Sequence, residues 1–440
     1  MEIKGKDMDV KMEAMRKDAL DLLQFIEESP SVYHVIDNMK KRLEAAGLEE
    51  LDERQAWKPA EGKGYFVIRN GSSLIAFKMP KKAPKGFHLV ASHSDSPTFK
   101  LKEKPEMMVE DKYVKLNTEK YGGGILNTWL DRPLSVAGRV VVKDDAGNVT
   151  VKLVNIDKDL LVIPNLSIHM NRDVNKGIEL NPQVDMLPLM SLSNAKDGKD
   201  SLMKAVAEAA GVSREEILGQ DLYLYIREAG RLTGMEQEFI LSPKLDDLQS
   251  VYASMAAFCN VDPAEYISVL AVFDNEEVGS GTMQGANSTL LEDVLKRIGE
   301  SLGLSNGEYL QLVADSFLIS ADNAHAVHPN HPEKVDPTNR NYIGGGLVIK
   351  YHGSQKYTTD AVSGARMKLY CQKAEVPFQT FFNRSDLVGG STLGNISTSH
   401  VSLSSVDVGL PQLAMHSAVE MAGTADTTYA RKAFEAFYAE

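Results

Sequence analysis

The stretch PKLDDLQSVYASMAAFCNVDPAEYISVLAVFDNEEVGS, residues 243–280, decides the fold. Its first half, DDLQSVYASMAAFC, reads as a helix opened by paired aspartates. Its second half, EYISVLAVFD, is a nearly unbroken apolar run, the pattern of a strand buried on both faces. The run stops just before Glu276 and Glu277. A helix, then a buried strand ending beside two adjacent carboxylates, predicts an α/β layer. Chemistry is expected at the carboxyl edge of its sheet, where open parallel sheets gather their ligands.

The alternation runs on to the end of the chain. EDVLKRIGESLGL reads as a helix, DSFLISAD as a strand, VSGARMKLYCQKAEV as a helix and VSLSSVDVGLP as a strand, and SAVEMAGTADTTYARKAFEAFYAE closes as a helix. At the other end, residues 15–28 are amphipathic, with Ala19, Leu22, Leu23 and Ile26 at helical spacing. SPSVYHVIDNMKKRLEAAG follows as a second helix, with Ser29 or Ser31 as N-cap and Gly47 as its stop. GYFVIRN, SSLIAFKM and GFHLVASH are strand-like. From about Thr98 the pattern changes. YVKLNTEKYGGG, GRVVVKDDAGNVTVKLVNI and LLVIPNLSI read as strands, with a hairpin turn at residues 145–148. SLMKAVAEAAG and REEILG are helical in pattern, and DLYLYIREA is a strand. The expectation is one α/β catalytic domain built from residues 1–97 and 243–440, with a largely parallel sheet. A β-rich insertion over residues 98–242 interrupts it.

Composition narrows the function class. The 440 residues are 43% hydrophobic and 25% charged, a globular balance with room for large cores. A net charge of -13 argues against nucleic acid or an anionic membrane as partner, since both want a basic face. The charged start has no apolar core of a signal peptide, and no run reaches the roughly 18 apolar residues of a membrane span. A cytoplasmic protein is expected. The two cysteines, Cys259 and Cys371, form neither a CxxC motif nor a disulfide framework and read as buried free thiols.

Five motifs lie at or near the ends of apolar runs: His93 and Asp95 in ASHSDSP, Asp246 in SPKLDDLQS, Glu276 and Glu277 in FDNEEVGS, Asp322 in ISADNAHAVHP, and His416 in PQLAMHS. Neutral imidazole and carboxylates are good ligands for Zn, Mn or Co. A metal-bound histidine wants a carboxylate on its other nitrogen, and Asp95, two residues from His93, is placed to be that partner. A carboxylate has two oxygens with which to bridge two cations, and Asp246 is the candidate. The Glu276–Glu277 pair offers one ligand and one general base. Each motif alone has a plainer explanation. HxD is commonly a surface pair, GluGlu a solvated face, Asp322 a helix cap and His416 a core histidine, while Asp247 reads as an N-cap. Their joint placement along one sheet edge favours a single two-metal hydrolase site.

These residues also carry a resemblance. SPSVYHVI, ASHSDSP, YGGGILNTWLDRPLSVAGRV, IPNLSIHMNR, SPKLDDLQS, DNEEVGS, QGA, SADNAHAVHPN and PQLAMHS together resemble the M18 metalloaminopeptidases, the aspartyl aminopeptidase family, almost end to end. The resemblance implies a three-layer, mixed-sheet zinc-peptidase-type catalytic domain with an inserted dimerisation and substrate-gating domain. It implies two divalent metal ions, zinc by expectation, with Co or Mn as alternatives. One is held by Asp246, Glu277 and His416, the other by Asp246, His93 and Asp322. Glu276 is the general base, Asp95 orients His93, and the Asp246–Asp247 peptide is cis. His169 is implied to reach a neighbouring subunit's site and contact the substrate carbonyl, so that activity requires an oligomer, a tetrahedral dodecamer in the family. Enclosed sites of that kind restrict substrates to peptides. Lys350 is implied to select an N-terminal Asp or Glu by charge pairing, with Tyr357 in the same pocket. His325 and His328 are read as support beside Asp322.

The chain departs from the family pattern at Ser385 and Leu387–Val388 in FNRSDLVGGSTLGN, and LDD stands where some members have Leu-Asp-Asn. The first departure bears on side-chain selectivity, leaving the chemistry intact. The expected activity is removal of N-terminal acidic residues from peptides. The rivals are a broad or neutral-residue aminopeptidase, with Lys350 facing solvent, and a non-catalytic oligomeric shell.

Overall fold

The structure is a computed structural model that describes residues 2–144, 146–193 and 200–440, and for residues 2–11 the backbone alone. The apolar run forms the strand Ile267–Phe273, all seven residues of it buried. It pairs in parallel with Phe87–His93, which pairs in parallel with Phe317–Ala321, and that strand in turn with Ser404–Gly409. Outside this parallel centre the sheet becomes mixed. Ser73–Lys78 runs antiparallel to Ile267–Phe273 on one side, and Leu347–Tyr351 runs antiparallel to Ser404–Gly409 on the other. Nine strands make up the sheet.

Successive side chains of a strand point to opposite faces, so a run that is apolar throughout needs cover on both. Leu270 and Val272 pack with Val251, Phe258 and Phe434 on one face; Val269, Ala271 and Phe273 pack with Leu290, Val294, Leu295 and Ile298 on the other. Each such side chain contributes about 2 kcal/mol by leaving water. The first face carries the helices Leu245–Asn260 and Thr424–Tyr438, and the second the helix Leu290–Ser301. This is the three-layer, mixed-sheet architecture the sequence resemblance implies.

Six antiparallel strands between Thr98 and Ile226 form a separate sheet. Its core holds Phe99, Leu116, Val136 and Leu222, with Leu202 and Val206 of the helix Ser201–Ala210. A third sheet, of five strands, joins distant parts of the chain. Phe239–Ser242 pairs with Glu420–Gly423, which pairs with Pro411–Leu413, and that strand with Ala324–His325. It brings the segments bearing Asp322 and His416 next to the strand that leads into Asp246.

Several elements differ from the local reading. Glu420–Gly423, read as helix, is a strand with partners on both sides, and the last helix starts only at Thr424. REEILG makes one 3-10 turn, closed by a Ser213–Glu216 capping box, before Ile217 enters a strand. In LLVIPNLSI only Leu161, Val162 and Ile163 bridge to neighbours; Pro164 has no N–H to continue a ladder, and residues 164–170 are exposed. The first helix runs from Glu2 to Glu27, longer than the amphipathic window. The helices Asn306–Ala314 and Leu393–His400 carry no strong periodic signal. In the expected hairpin turn, Asp145 lies outside the described residues. Cys371 is buried and Cys259 half-buried, both as free thiols. Among the described residues no helix is long and apolar enough to cross a membrane.

One core histidine makes stability depend on pH. His88 is buried between the rings of Tyr266 and Phe437, at 3.8 and 4.2 Å, and donates from Nδ1 to the Phe437 carbonyl at 3.0 Å. Burial lowers its pKa from 6.5 to about 4. The fold therefore favours the neutral ring. That contribution is complete above pH 6.5 and is lost as pH falls from there toward 4, by up to about 3 kcal/mol. Urea unfolding at pH 7.5 and pH 4.5 checks this: His88→Phe loses less stability between the two than the wild type. Equal losses would remove His88 from the account.

Candidate metal centre

Chain connectivity brings the five motifs to one place. His93 ends its strand, Asp246 opens the helix Leu245–Asn260, Glu276 and Glu277 form a 3-10 turn after Phe273, and Asp322 follows Ala321. His416 follows the strand Pro411–Leu413, with φ of 67°. The peptide between Asp246 and Asp247 is cis, and both residues depart from helical φ/ψ inside the helix. Their non-helical φ/ψ values let two neighbouring carboxylates serve different partners.

Ligating atoms of Asp246, Glu277 and His416 lie within 4.8 Å of one another, as do those of His93, Asp246, Asp247 and Asp322, and those of His93, Glu276 and Glu277. His93 Nε2 is 3.5 Å from Asp246 Oδ1; His416 Nε2 is 3.4 Å from Asp246 Oδ2 and 3.4 Å from Glu277 Oε1. Asp246 thus stands between two imidazoles, one on each oxygen. The other ring nitrogens face away from the cluster. His93 Nδ1 is 3.1 Å from the Asp95 carbonyl oxygen and 3.4 Å from Asp95 Oδ1, and His416 Nδ1 is 3.3 Å from the Gly123 carbonyl oxygen. An acceptor on Nδ1 places the proton there and leaves Nε2 free to ligate.

The cluster is electrostatically crowded. Burial works to lower the pKa of His93, but Asp246, Asp247 and Asp95 outweigh it and raise the pKa well above the ordinary value. His416 is pushed up to about 10, burial again being overcome, here by Asp246 and Glu277. Burial and neighbouring carboxylates raise Glu276 to about 7 and Glu277 well above the carboxylate range. Asp246, flanked by the two imidazoles, is depressed despite its burial. Among the described residues, no donor hydrogen-bonds the buried Asp246 Oδ1 or Glu277 Oε1. Buried carboxylate oxygens without donors are costly unless a cation takes them, so this donor set fits divalent metal ions.

A family model described as Aminopeptidase I zinc metalloprotease (M18) matches residues 25–438. The chain belongs to the M18 aminopeptidase family. It is 48% identical over 428 residues to a probable M18 family aminopeptidase 2 of Clostridium novyi, covering 96% of this chain and 98% of that relative. The structure of the Ape4 and Nbr1 complex contains a chain that matches with a TM-score of 0.94 and 36% identity, over 97% of this chain and 86% of that one. The S. cerevisiae mApe1 dodecamer matches with a TM-score of 0.84 and 27% identity, over 96% of each chain. The protein is accordingly a metalloaminopeptidase of a zinc family.

This M18 aminopeptidase surrounds its cluster with residues that sequence reasoning missed. Asp247 is more than a helix cap, because its Oδ2 accepts the His93 backbone N–H at 3.2 Å. Glu420 is buried and accepts the backbone N–H of Asp246 at 2.9 Å and of His416 at 2.7 Å. Tyr121 donates its hydroxyl to Asp95 Oδ2 at 2.7 Å. Asp95 also accepts the Glu276 and Glu277 backbone N–H groups, at 3.1 and 3.2 Å, so it orients more than His93. The only available signal was for Glu420, as a carboxylate four residues after His416.

Lys350 does not face solvent. It is buried, and Nζ donates to the Asp322 carbonyl at 2.7 Å, with Asn323 O at 3.3 Å and Asp322 Oδ2 at 3.5 Å. Tyr357 is buried beside it, its ring centroid 5.3 Å from Nζ. His325, on the two-residue strand Ala324–His325, is exposed. His328 is exposed and accepts from the Asn330 backbone N–H. Neither histidine belongs to a ligating group, nor does His169, which is exposed on the segment after Ile163.

Proposed function

We propose that this aminopeptidase uses two divalent metal ions, zinc by preference, to remove N-terminal acidic residues from peptides. The observation that carries the reading is Asp246, with an imidazole Nε2 facing each of its oxygens. Asp246, Glu277 and His416 hold one ion; Asp246, His93 and Asp322 hold the other. Bound there, the pair supplies Lewis-acid polarisation of the scissile carbonyl and lowers the pKa of the attacking water. Glu276 takes the proton from that water and passes it to the leaving amine. Asp95 keeps His93, Glu276 and Glu277 in register. His169, exposed and apart from its own chain's cluster, serves the substrate carbonyl of a neighbouring subunit in a dodecamer. The exposed apolar side chains of Leu166, Ile168 and Met170 around it suit an interface. The inserted sheet supplies that contact, and the enzyme works on peptides in the cytoplasm. The test is zinc stoichiometry together with cleavage of Asp-, Glu- and Leu-terminated peptides by chelated protein re-supplied with Zn, Mn or Co. One ion per chain, or activity without added metal, overturns the two-metal reading.

The acidic preference has a rival with its own support. Three oxygens of Asp322 and Asn323 lie within 3.5 Å of Lys350 Nζ, which favours a lysine that steadies Asp322 over one that pairs with substrate. Lys350→Met separates the two. Under the acidic reading kcat/KM falls roughly 100-fold for Asp and Glu substrates, about 3 kcal/mol for a lost charged partner, and little for Leu. An equal loss on all three substrates gives Lys350 to Asp322 and leaves the enzyme with a broad or neutral preference.

A further inference from the structure

The metal centre is closed on one side by a part of the six-stranded sheet. The hairpin strand Tyr113–Tyr121 ends at the cluster, and the glycines behind it continue along the cluster's edge. Tyr121 donates to Asp95 and accepts from Asn275 Nδ2 at 2.9 Å, so it sits between the residue that orients His93 and the turn that carries Glu276 and Glu277. Gly122 has φ of +73°, and a Cβ there would lie 3.1 Å from the Glu277 Cβ and 3.3 Å from the Pro97 Cα. A side chain at this point meets both a left-handed backbone and the ligand's own stem. The Gly123 carbonyl faces His416 Nδ1, and the Ile125 N–H donates to the His416 carbonyl at 2.9 Å. Residues 121–125 thus lie against three of the residues that shape the site, Asp95, Glu277 and His416.

We propose that residues 121–125 form a positioning strap, through which the inserted sheet holds the ligands Glu277 and His416, and Asp95 that orients His93, in place and so sets the metal affinity. The strap acts through the residues it holds. The inference rests on the reading of the cluster as a zinc site. Its consequence is that metal retention depends on the integrity of a sheet that contributes no ligand of its own.

The experiment compares Tyr121→Phe and Gly122→Ala with wild type and with Tyr225→Phe, a tyrosine of the same sheet whose hydroxyl is engaged by Asn155 Oδ1 at 2.8 Å. Zinc affinity is read by competition with a chromophoric chelator, and ligand geometry by the visible absorption of the cobalt-substituted protein. Loss of a partner that orients a ligand typically weakens metal binding 10- to 100-fold, and that loss is expected for Tyr121→Phe, together with altered cobalt bands. Gly122→Ala is expected to lose at least as much, and Tyr225→Phe to match wild type on both readouts. Wild-type affinity and spectrum in Tyr121→Phe would overturn the strap alone. A wild-type protein that binds no zinc would overturn the metal reading with it.

Discussion

Glu276→Gln is expected to lower kcat on every peptide substrate by about 10³-fold or more, while the protein still binds zinc at wild-type stoichiometry. General acid–base groups contribute about 10²–10⁴-fold, and a residue that both takes and returns the proton stands at the upper end. Glu276 has the environment for that work. Its backbone N–H is fixed by Asp95 Oδ1, and burial together with Asp322, Asp95 and Asp246 holds its carboxyl near 7 against the opposing pull of His93. A group poised there changes protonation state at little cost near neutral pH. The amide keeps the size and burial of the side chain but takes no proton. Loss is therefore expected in kcat, with KM little changed. A Glu276 oxygen also lies within 4.8 Å of ligand atoms of His93 and Glu277, which makes the metal count decisive. If Glu276→Gln loses an ion along with its activity, Glu276 is a ligand and the base must be sought elsewhere. If activity persists within tenfold, the residue is neither.

Much of this site was legible in the sequence because chemistry and periodicity coincide there. The run EYISVLAVFD announces a strand buried on both faces, and Glu276 and Glu277 stand just beyond its carboxyl end, the edge where such sheets gather ligands. The same holds for His93 after FHLVAS and Asp322 after SFLISA. What was not legible depends on contacts between distant segments. Glu420 holds two backbones, one of them 174 residues away, and it lies on a strand that exists only because Phe239–Ser242 and Pro411–Leu413 flank it. Read alone, EMAG before TADTTYARKAF looks like the start of a helix. Tyr121 meets Asp95 only because the hairpin of the inserted sheet ends against the catalytic layer, a matter of how two sheets dock rather than of any local pattern. Asp247 looks like a helix cap until the backbone turns it toward the His93 N–H. Lys350 shows the converse limit. Its burial against Asp322 and Asn323 depends on where the third sheet places those residues.

Asp246→Asn carries the second large effect, because one carboxylate is shared by both halves of the site. Each histidine faces one oxygen of Asp246, so under the proposed two-ion arrangement replacing that side chain would remove a charged ligand from both ion positions at once. Activity is expected to fall by at least about 10³-fold, as when the central group of a unit that acts together is removed. The more telling readout is thermal. A ligand that binds only the folded protein stabilises it by RT ln(1 + [L]/Kd), about 4 kcal/mol when zinc is a thousandfold above its Kd. Wild-type Tm should therefore rise on addition of zinc, and the Tm of Asp246→Asn should not. The metal-free proteins should differ in the opposite sense. The charge of Asp246 is among the causes that raise the pKa of Glu277, Asp322 and Asp247, so the amide relieves repulsion among buried carboxylates. Against this, Asp246 stabilises the protonated forms of His93 and His416. In the folded wild type both imidazoles keep their protons above pH 6.5, where the unfolded chain has released them, so wild-type stability is lost as pH rises through that range. Without the Asp246 charge less is lost, and the variant should gain on wild type as pH rises from 6 to 9 in chelator. A zinc-induced rise in Tm of wild-type size in Asp246→Asn would show that the ions do not share this carboxylate, and the two-ion arrangement around it would have to be abandoned.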